Sequence, residues 1–76
     1  GAEILQLRVG EKCPWLGDKL MDLAFPAHAV IAAVIKHGRV VTPRGDTLIS
    51  ANDEVVVFAL PDAVDEVAEF FAGGAS

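Results

Sequence analysis

Apolar positions along this chain fall into two kinds of run. From Ile4 to Val9 they alternate loosely with polar ones and put Leu5, Leu7 and Val9 on one side, the pattern of a half-buried strand that Gly10 ends. From Val30 to Ile35 six apolar residues follow one another, and Val55 to Phe58 repeats the pattern. Strands that are apolar on both faces call for cover on both sides. The spacing predicts strands over 29–36 and 54–60. Between Lys36 and Arg39-Val40-Val41 stands His37-Gly38, two residues ending in glycine, which predicts a tight hairpin turn into a short third strand. Pro43 stops that strand or marks an edge. Arg44-Gly45-Asp46 and Ser50–Asp53 read as turns around a brief extended piece, Thr47-Leu48-Ile49.

Two stretches carry helical spacing. Leu16, Leu20 and Leu23 recur at i, i+4 and i+7, with Asp18, Lys19 and Asp22 on the other side; this predicts a short helix over 15–23, weakened by Gly17 and unable to continue through Pro26. Pro61 and Asp62 open a second helix, with Asp62 as the expected N-cap. Val64, Val67, Ala68 and Phe71 form its apolar stripe, Phe70 lies at the edge, and Gly73-Gly74 ends it. The expected fold is α+β: a small mixed or antiparallel β-sheet with two helices, in the order β-α-β-β-β-α. All 76 residues read as one domain, with Gly1-Ala2 as a cloning remnant and 73–76 as a tail.

Composition sharpens this picture. Apolar residues make up 53% of the chain and the mean hydropathy is +0.44, more oil than a chain of this length readily buries. Part of it is expected to face a partner, most simply a second copy in a homodimer. The longest near-apolar run, Leu23 to Ile35, is broken by Pro26 and His28 and is too short to span a bilayer. Neither a membrane insertion nor a signal peptide is expected. The net charge is −5. Lys36, Arg39 and Arg44 lie within nine positions, and after them come Asp46, Asp53, Glu54, Asp62, Asp65, Glu66 and Glu69 with no base. That balance argues against nucleic-acid binding, which needs a broad basic face, but allows a local anion site. The single cysteine, Cys13, excludes an internal disulfide and a cysteine zinc site, and fits a reducing, cytoplasmic setting.

Few residues offer chemistry. Cys13 would need a neighbouring base to act as a nucleophile; a small packing residue is the plainer reading. His28 and His37, nine positions apart, lack a third metal ligand at a recognised spacing. Asp62, Asp65, Glu66 and Glu69 lack the looped oxygen cage calcium prefers and read as a solvated helix face. Arg44-Gly45-Asp46 matches a cell-adhesion tripeptide but reads as a turn. Lys36, His37, Arg39 and Arg44 are the one grouping retained: hairpin geometry brings Lys36 near Arg39, and such cations beside an apolar strand suit a phosphate next to a flat base. A solvated basic hairpin is the alternative. With no glycine-rich dinucleotide motif and no P-loop, phosphotransfer is not expected.

From about Ile4 to Phe71 the chain resembles the C-terminal domain of the TrkA and RCK family, regulators of potassium uptake systems and channels. Leu16, Gly17, Leu20 and Leu23 match its leucine–glycine helix. Lys36, Gly38, Pro43, Gly45, Asp46, Thr47 and Asp53 fall in its order of charged residue, glycine, proline, glycine-aspartate-threonine and aspartate before the last strand. The resemblance implies a non-catalytic regulatory domain that dimerises and serves a parent transporter or channel subunit. Some members bind cyclic di-adenosine monophosphate at the dimer interface. Carried onto this chain, Ile31 to Ile35 with Lys36, Arg39 and Pro43 would line such a site, and no other cofactor is implied. Many relatives carry arginine where Lys36 stands; lysine holds phosphate as a point charge, without the bidentate fork.

Overall fold

The computed structural model describes residues 1–72; the expected stop at Gly73-Gly74 and the tail lie outside them. Four strands, β1 (Glu3–Arg8), β2 (Ala29–Lys36), β3 (Arg39–Val41) and β4 (Glu54–Ala59), precede one helix, α1 (Val64–Phe71). The strands form an antiparallel sheet in the order β1-β4-β2-β3. The fold is α+β, and the three predicted strands of the middle stretch stand within a residue of their predicted bounds. The β2–β3 turn is tight because His37 (φ 51°) and Gly38 (φ 76°) both take positive φ, as a two-residue turn matched to strand twist requires. Glycine adopts this freely, and histidine is among the few other residues that tolerate it.

β4 organises the sheet. Its Val55, Val57 and Ala59 are buried and meet Leu7, Leu5 and Glu3 of β1 on one flank and Val34, Ile31 and Ala29 of β2 on the other. Helix α1 covers this face with Val67 and Phe71, both fully buried. Each such side chain contributes about 1.5–3 kcal/mol by leaving water. Four of the five aromatic residues meet at the helix end: Trp15 stacks on Phe70 with ring centroids 5.0 Å apart, Phe25 and Phe71 pack edge-on against Phe70 at 5.2 and 5.1 Å, and Phe25 and Phe71 meet each other tilted at 5.8 Å. The segment after β1 satisfies carbonyls that the helix cannot satisfy itself. Trp15 Nε1 donates to Phe70 O at 2.9 Å, and Gly10 N donates to Phe71 O at 2.9 Å. Gly10 is needed for that approach, since a Cβ there would stand 2.8 Å from Ala72 O.

Three expectations are corrected, and one feature of the sheet is added. The stretch 15–23 is not an α-helix: it runs through turns, and only Leu20–Asp22 forms a single 3₁₀ turn. Gly17 sits at φ 84°, outside the helical region, and the backbone groups pair with residues 45–49 instead. Gly17 N donates to Ile49 O at 2.7 Å, Leu20 N to Thr47 O at 2.9 Å and Met21 N to Gly45 O at 3.0 Å, beside a bridge between Lys19 and Leu48. Asp62 does not cap α1: a 3₁₀ turn, Pro61–Ala63, leads into the helix without a side-chain cap, and the Asp62 carboxylate lies 3.0 Å from His28 Nδ1. Ala68 is exposed, and Ala63 takes the buried place in the stripe. The sheet is also covered on one face only. Ile4, Val30, Val40 and Phe58 remain 71%, 59%, 72% and 45% exposed.

Candidate functional site

The β2–β3 hairpin carries most of the predicted cations, but it does not gather them. Lys36 and Arg39 are cross-strand partners at the turn. The Lys36 ammonium reaches away from the hairpin to donate to Asp53 Oδ2, and also lies 3.3 Å from Ser50 Oγ. Asp53 is buried, and the same oxygen accepts from Ser50 N at 3.0 Å. Asp53 therefore closes the 50–53 turn, and backbone bonds from Val9 N to Asp53 O (2.8 Å) and from Asn52 N to Val9 O (2.9 Å) tie that turn to the end of β1. Arg39 and His37 are exposed at the hairpin tip. Ile35 and His37 border a small cavity of about 220 Å3 with Arg8, Asn52 and Glu54 on its other side.

The remaining predicted residues come together elsewhere. Ile31, Pro43 and Arg44 line an open groove of about 420 Å3. β3 pairs only with Val34, Ile35 and Lys36, so the first half of β2 has no strand on that flank, and Pro43 turns the chain away. The opposite wall is Leu20, Met21, Leu23 and Phe25. Arg44 is the one charged residue lining the groove. The turn that presents it is closed in both directions: Arg44 N donates to Thr47 Oγ1 at 2.9 Å and Thr47 N to Arg44 O at 3.1 Å. Apolar walls with a single guanidinium at the rim suit a flat apolar body carrying an anionic group.

The seven predicted residues thus divide into a groove group, Ile31, Pro43 and Arg44, and a hairpin group, Ile35, Lys36, His37 and Arg39. Sequence reasoning missed the groove's leucine wall because those leucines were assigned to one face of a helix. It also missed Asp53 as the partner of Lys36. Cys13 is buried, with Sγ 3.9 Å from Phe70 O, a packing position. His28 (φ 66°) is held by Asp62 and by Leu60 N donating to its carbonyl at 2.9 Å. Among the described residues no three histidine, cysteine or carboxylate groups stand together as a metal site, and no helix is long and apolar enough to cross a membrane.

Comparison with known proteins assigns the fold and the sequence together. The model of the TrkA-C domain matches residues 4–72. The chain belongs to the TrkA-C domain family. It is 34% identical over 70 residues to the Trk system potassium uptake protein TrkA homolog 1 of Methanosarcina mazei, covering 92% of this chain and 16% of that protein. To the TrkA homolog of Pyrococcus abyssi it is 38% identical over 68 residues, covering 88% and 30%. To TrkA of Azorhizobium caulinodans it is 36% identical over 69 residues, covering 91% and 15%. The chain thus spans less than a third of the length of these relatives. Among solved structures, an RCK domain with cda shares the fold at a TM-score of 0.80 and 18% identity, over 90% of this chain and 96% of that one. TrkA-C is a regulatory family rather than a catalytic one. Its match here runs through the turn-forming residues as well as the strands: Gly17 and Gly38 both hold positive φ, and Thr47 and Asp53 each close a turn.

Proposed function

We propose that this chain is a non-catalytic, ligand-sensing regulatory domain of a potassium or other cation transport system, working as a homodimer beside its parent transporter or channel subunit on the cytoplasmic side. The observation that carries the ligand part is the groove of Ile31, Pro43 and Arg44, apolar along its walls and cationic at its rim. The relatives' place in potassium uptake supports the setting, and the RCK neighbour with cda supports testing a ligand. The ligand class that fits is a cyclic dinucleotide such as cyclic di-adenosine monophosphate: its bases would lie on the apolar walls and a phosphate would meet Arg44, with Arg39 and His37 of the hairpin reached from a second protomer. A ligand that favours one placement of the two protomers passes that preference to whatever is attached.

Isothermal titration of the chain with cyclic di-adenosine monophosphate tests this. Binding heat is expected, and Arg44→Ala should weaken affinity about tenfold or more, the scale of one charge-assisted hydrogen bond. No heat, or affinity indifferent to both Arg44→Ala and Arg39→Ala, removes the ligand part. One observation favours the alternative, a purely structural dimerisation module: the Lys36 ammonium is already held by Asp53. That reading expects the chain to pair without responding to any nucleotide.

A further inference from the structure

Three strands end together at one side of the sheet. Glu54 opens β4 and pairs in register with Arg8, the last residue of β1, and with Ile35 near the end of β2. The hairpin tip and the 50–53 turn complete a cavity of about 220 Å3 around them. That is less than the roughly 300–1,000 Å3 of sites for drug-sized ligands, so the cavity admits a molecule of a few heavy atoms and excludes a nucleotide. Its walls are set in advance. His37 and Gly38 hold the hairpin tip at positive φ, and Asn52 (φ 69°) does the same in the turn. Asp53 joins the two walls by accepting from Lys36 and from Ser50 N, and two backbone bonds fasten the turn to Val9. A site already in its bound shape loses little freedom when it fills.

The charges sort themselves in the same way. The Asp53 carboxylate is taken up by Lys36 and the turn. One guanidinium, Arg8, and one other carboxylate, Glu54, line the cavity. Cross-strand partners hold their Cβ atoms about 4.5–5.5 Å apart, yet among the described residues no ion pair joins these two. A simple anion entering here meets the like charge of Glu54, and a simple cation meets that of Arg8. A molecule that carries both charges a few bonds apart meets an opposite charge at each end.

We propose that this cavity binds a small zwitterion of the α-amino-acid class, with its carboxylate on the Arg8 guanidinium and its ammonium on the Glu54 carboxylate. The guanidinium offers the paired N–H groups that match a carboxylate. The Asn52 amide can donate and accept beside them, and Ile35 gives a short side chain an apolar surface. The cavity shares no lining residue with the groove of Ile31, Pro43 and Arg44, so the proposal depends neither on the nucleotide nor on pairing.

Backbone-amide NMR titration of the labelled chain tests it. The probes are glycine, L-alanine and L-serine, with glycolate as a carboxylate-only control and methylamine as an ammonium-only control. At least one amino acid should move the Gly38, Asn52 and Glu54 amides saturably, with a dissociation constant on the order of 1–10 mM. Both controls should bind about tenfold more weakly or worse. Arg8→Gln and, separately, Glu54→Gln change residues that are not buried. Each should weaken amino-acid binding about tenfold or more, with the circular dichroism of the folded chain retained. The absence of saturable shifts with all three amino acids up to about 50 mM overturns the proposal. So does glycolate binding as tightly as the amino acids, which would mark a plain anion site. Affinity unchanged in both variants, or shifts centred on Ile31 and Arg44, overturns it as well. Amino-acid binding by a chain that gives no heat with cyclic di-adenosine monophosphate supports this site and counts against the groove alone.

Discussion

Asp53 is the one buried polar side chain among the described residues, and Lys36, Ser50 and its own turn converge on it. Removing it leaves the ammonium of the half-buried Lys36 and the Ser50 N–H without their shared acceptor. Asp53→Ala should therefore cost about 1–3 kcal/mol, which for a domain of this length lowers the melting temperature by about 4–8 °C per kcal/mol; thermal unfolding by circular dichroism checks it. The same logic separates the cations. Lys36→Met should act mainly on stability, whereas Arg44→Ala, at an exposed turn residue, should leave the melting temperature nearly unchanged and act on ligand affinity. At Gly10 the argument is steric. A methyl 2.8 Å from Ala72 O must push the chain off the end of α1 and strain the Gly10–Phe71 bond. Gly10→Ala is expected to destabilise by about 1–3 kcal/mol, measured by urea unfolding.

Among the elements, the hairpin and the leucine-bearing connection show what the sequence reveals and what it hides. β2 and β3 were legible to the residue because both bounds are local: His37-Gly38 is a turn by its own chemistry, and the apolar run cannot stop earlier. Gly38→Ala should accordingly cost about 1–2 kcal/mol, the penalty of placing a Cβ at positive φ, read in the same unfolding assay. The Leu16, Leu20 and Leu23 spacing was legible as burial but not as conformation. Three leucines that reach one core from an irregular ribbon repeat the spacing of a helix face. What decides between them is whether residues 45–49 offer backbone partners, a contact some thirty positions away. The candidate site was legible to the same degree. The cations were visible as a cluster, and Ile31, Pro43 and Arg44 do share a groove. The Lys36–Asp53 pair joins residues seventeen apart across a turn and leaves no periodic trace. Surplus apolar surface was legible from composition, but which face of the sheet carries it was not, for a related reason. Val55 to Phe58 is apolar throughout, so the alternation that normally tells inside from outside is absent, and the one helix has only enough apolar surface to cover one side.

As a whole, the molecule is a sheet with one finished face and one bare one, and a groove at the flank of β2. Val30 belongs to both features: it stands exposed on the bare face and lines the groove. If a second copy pairs on that face, a ligand in the groove would lie against the seam, and the two events are then expected to be linked. By reciprocity, the factor by which a nucleotide tightens pairing is the factor by which pairing tightens the nucleotide, typically about 5–150-fold for coupled sites. The most direct measurement of that linkage is the dimer dissociation constant by sedimentation equilibrium, with and without saturating cyclic di-adenosine monophosphate. The account predicts a constant lowered at least fivefold by the nucleotide, and a shift abolished by Arg44→Ala. A dimer constant identical in the two conditions, with binding confirmed by calorimetry, would contradict it.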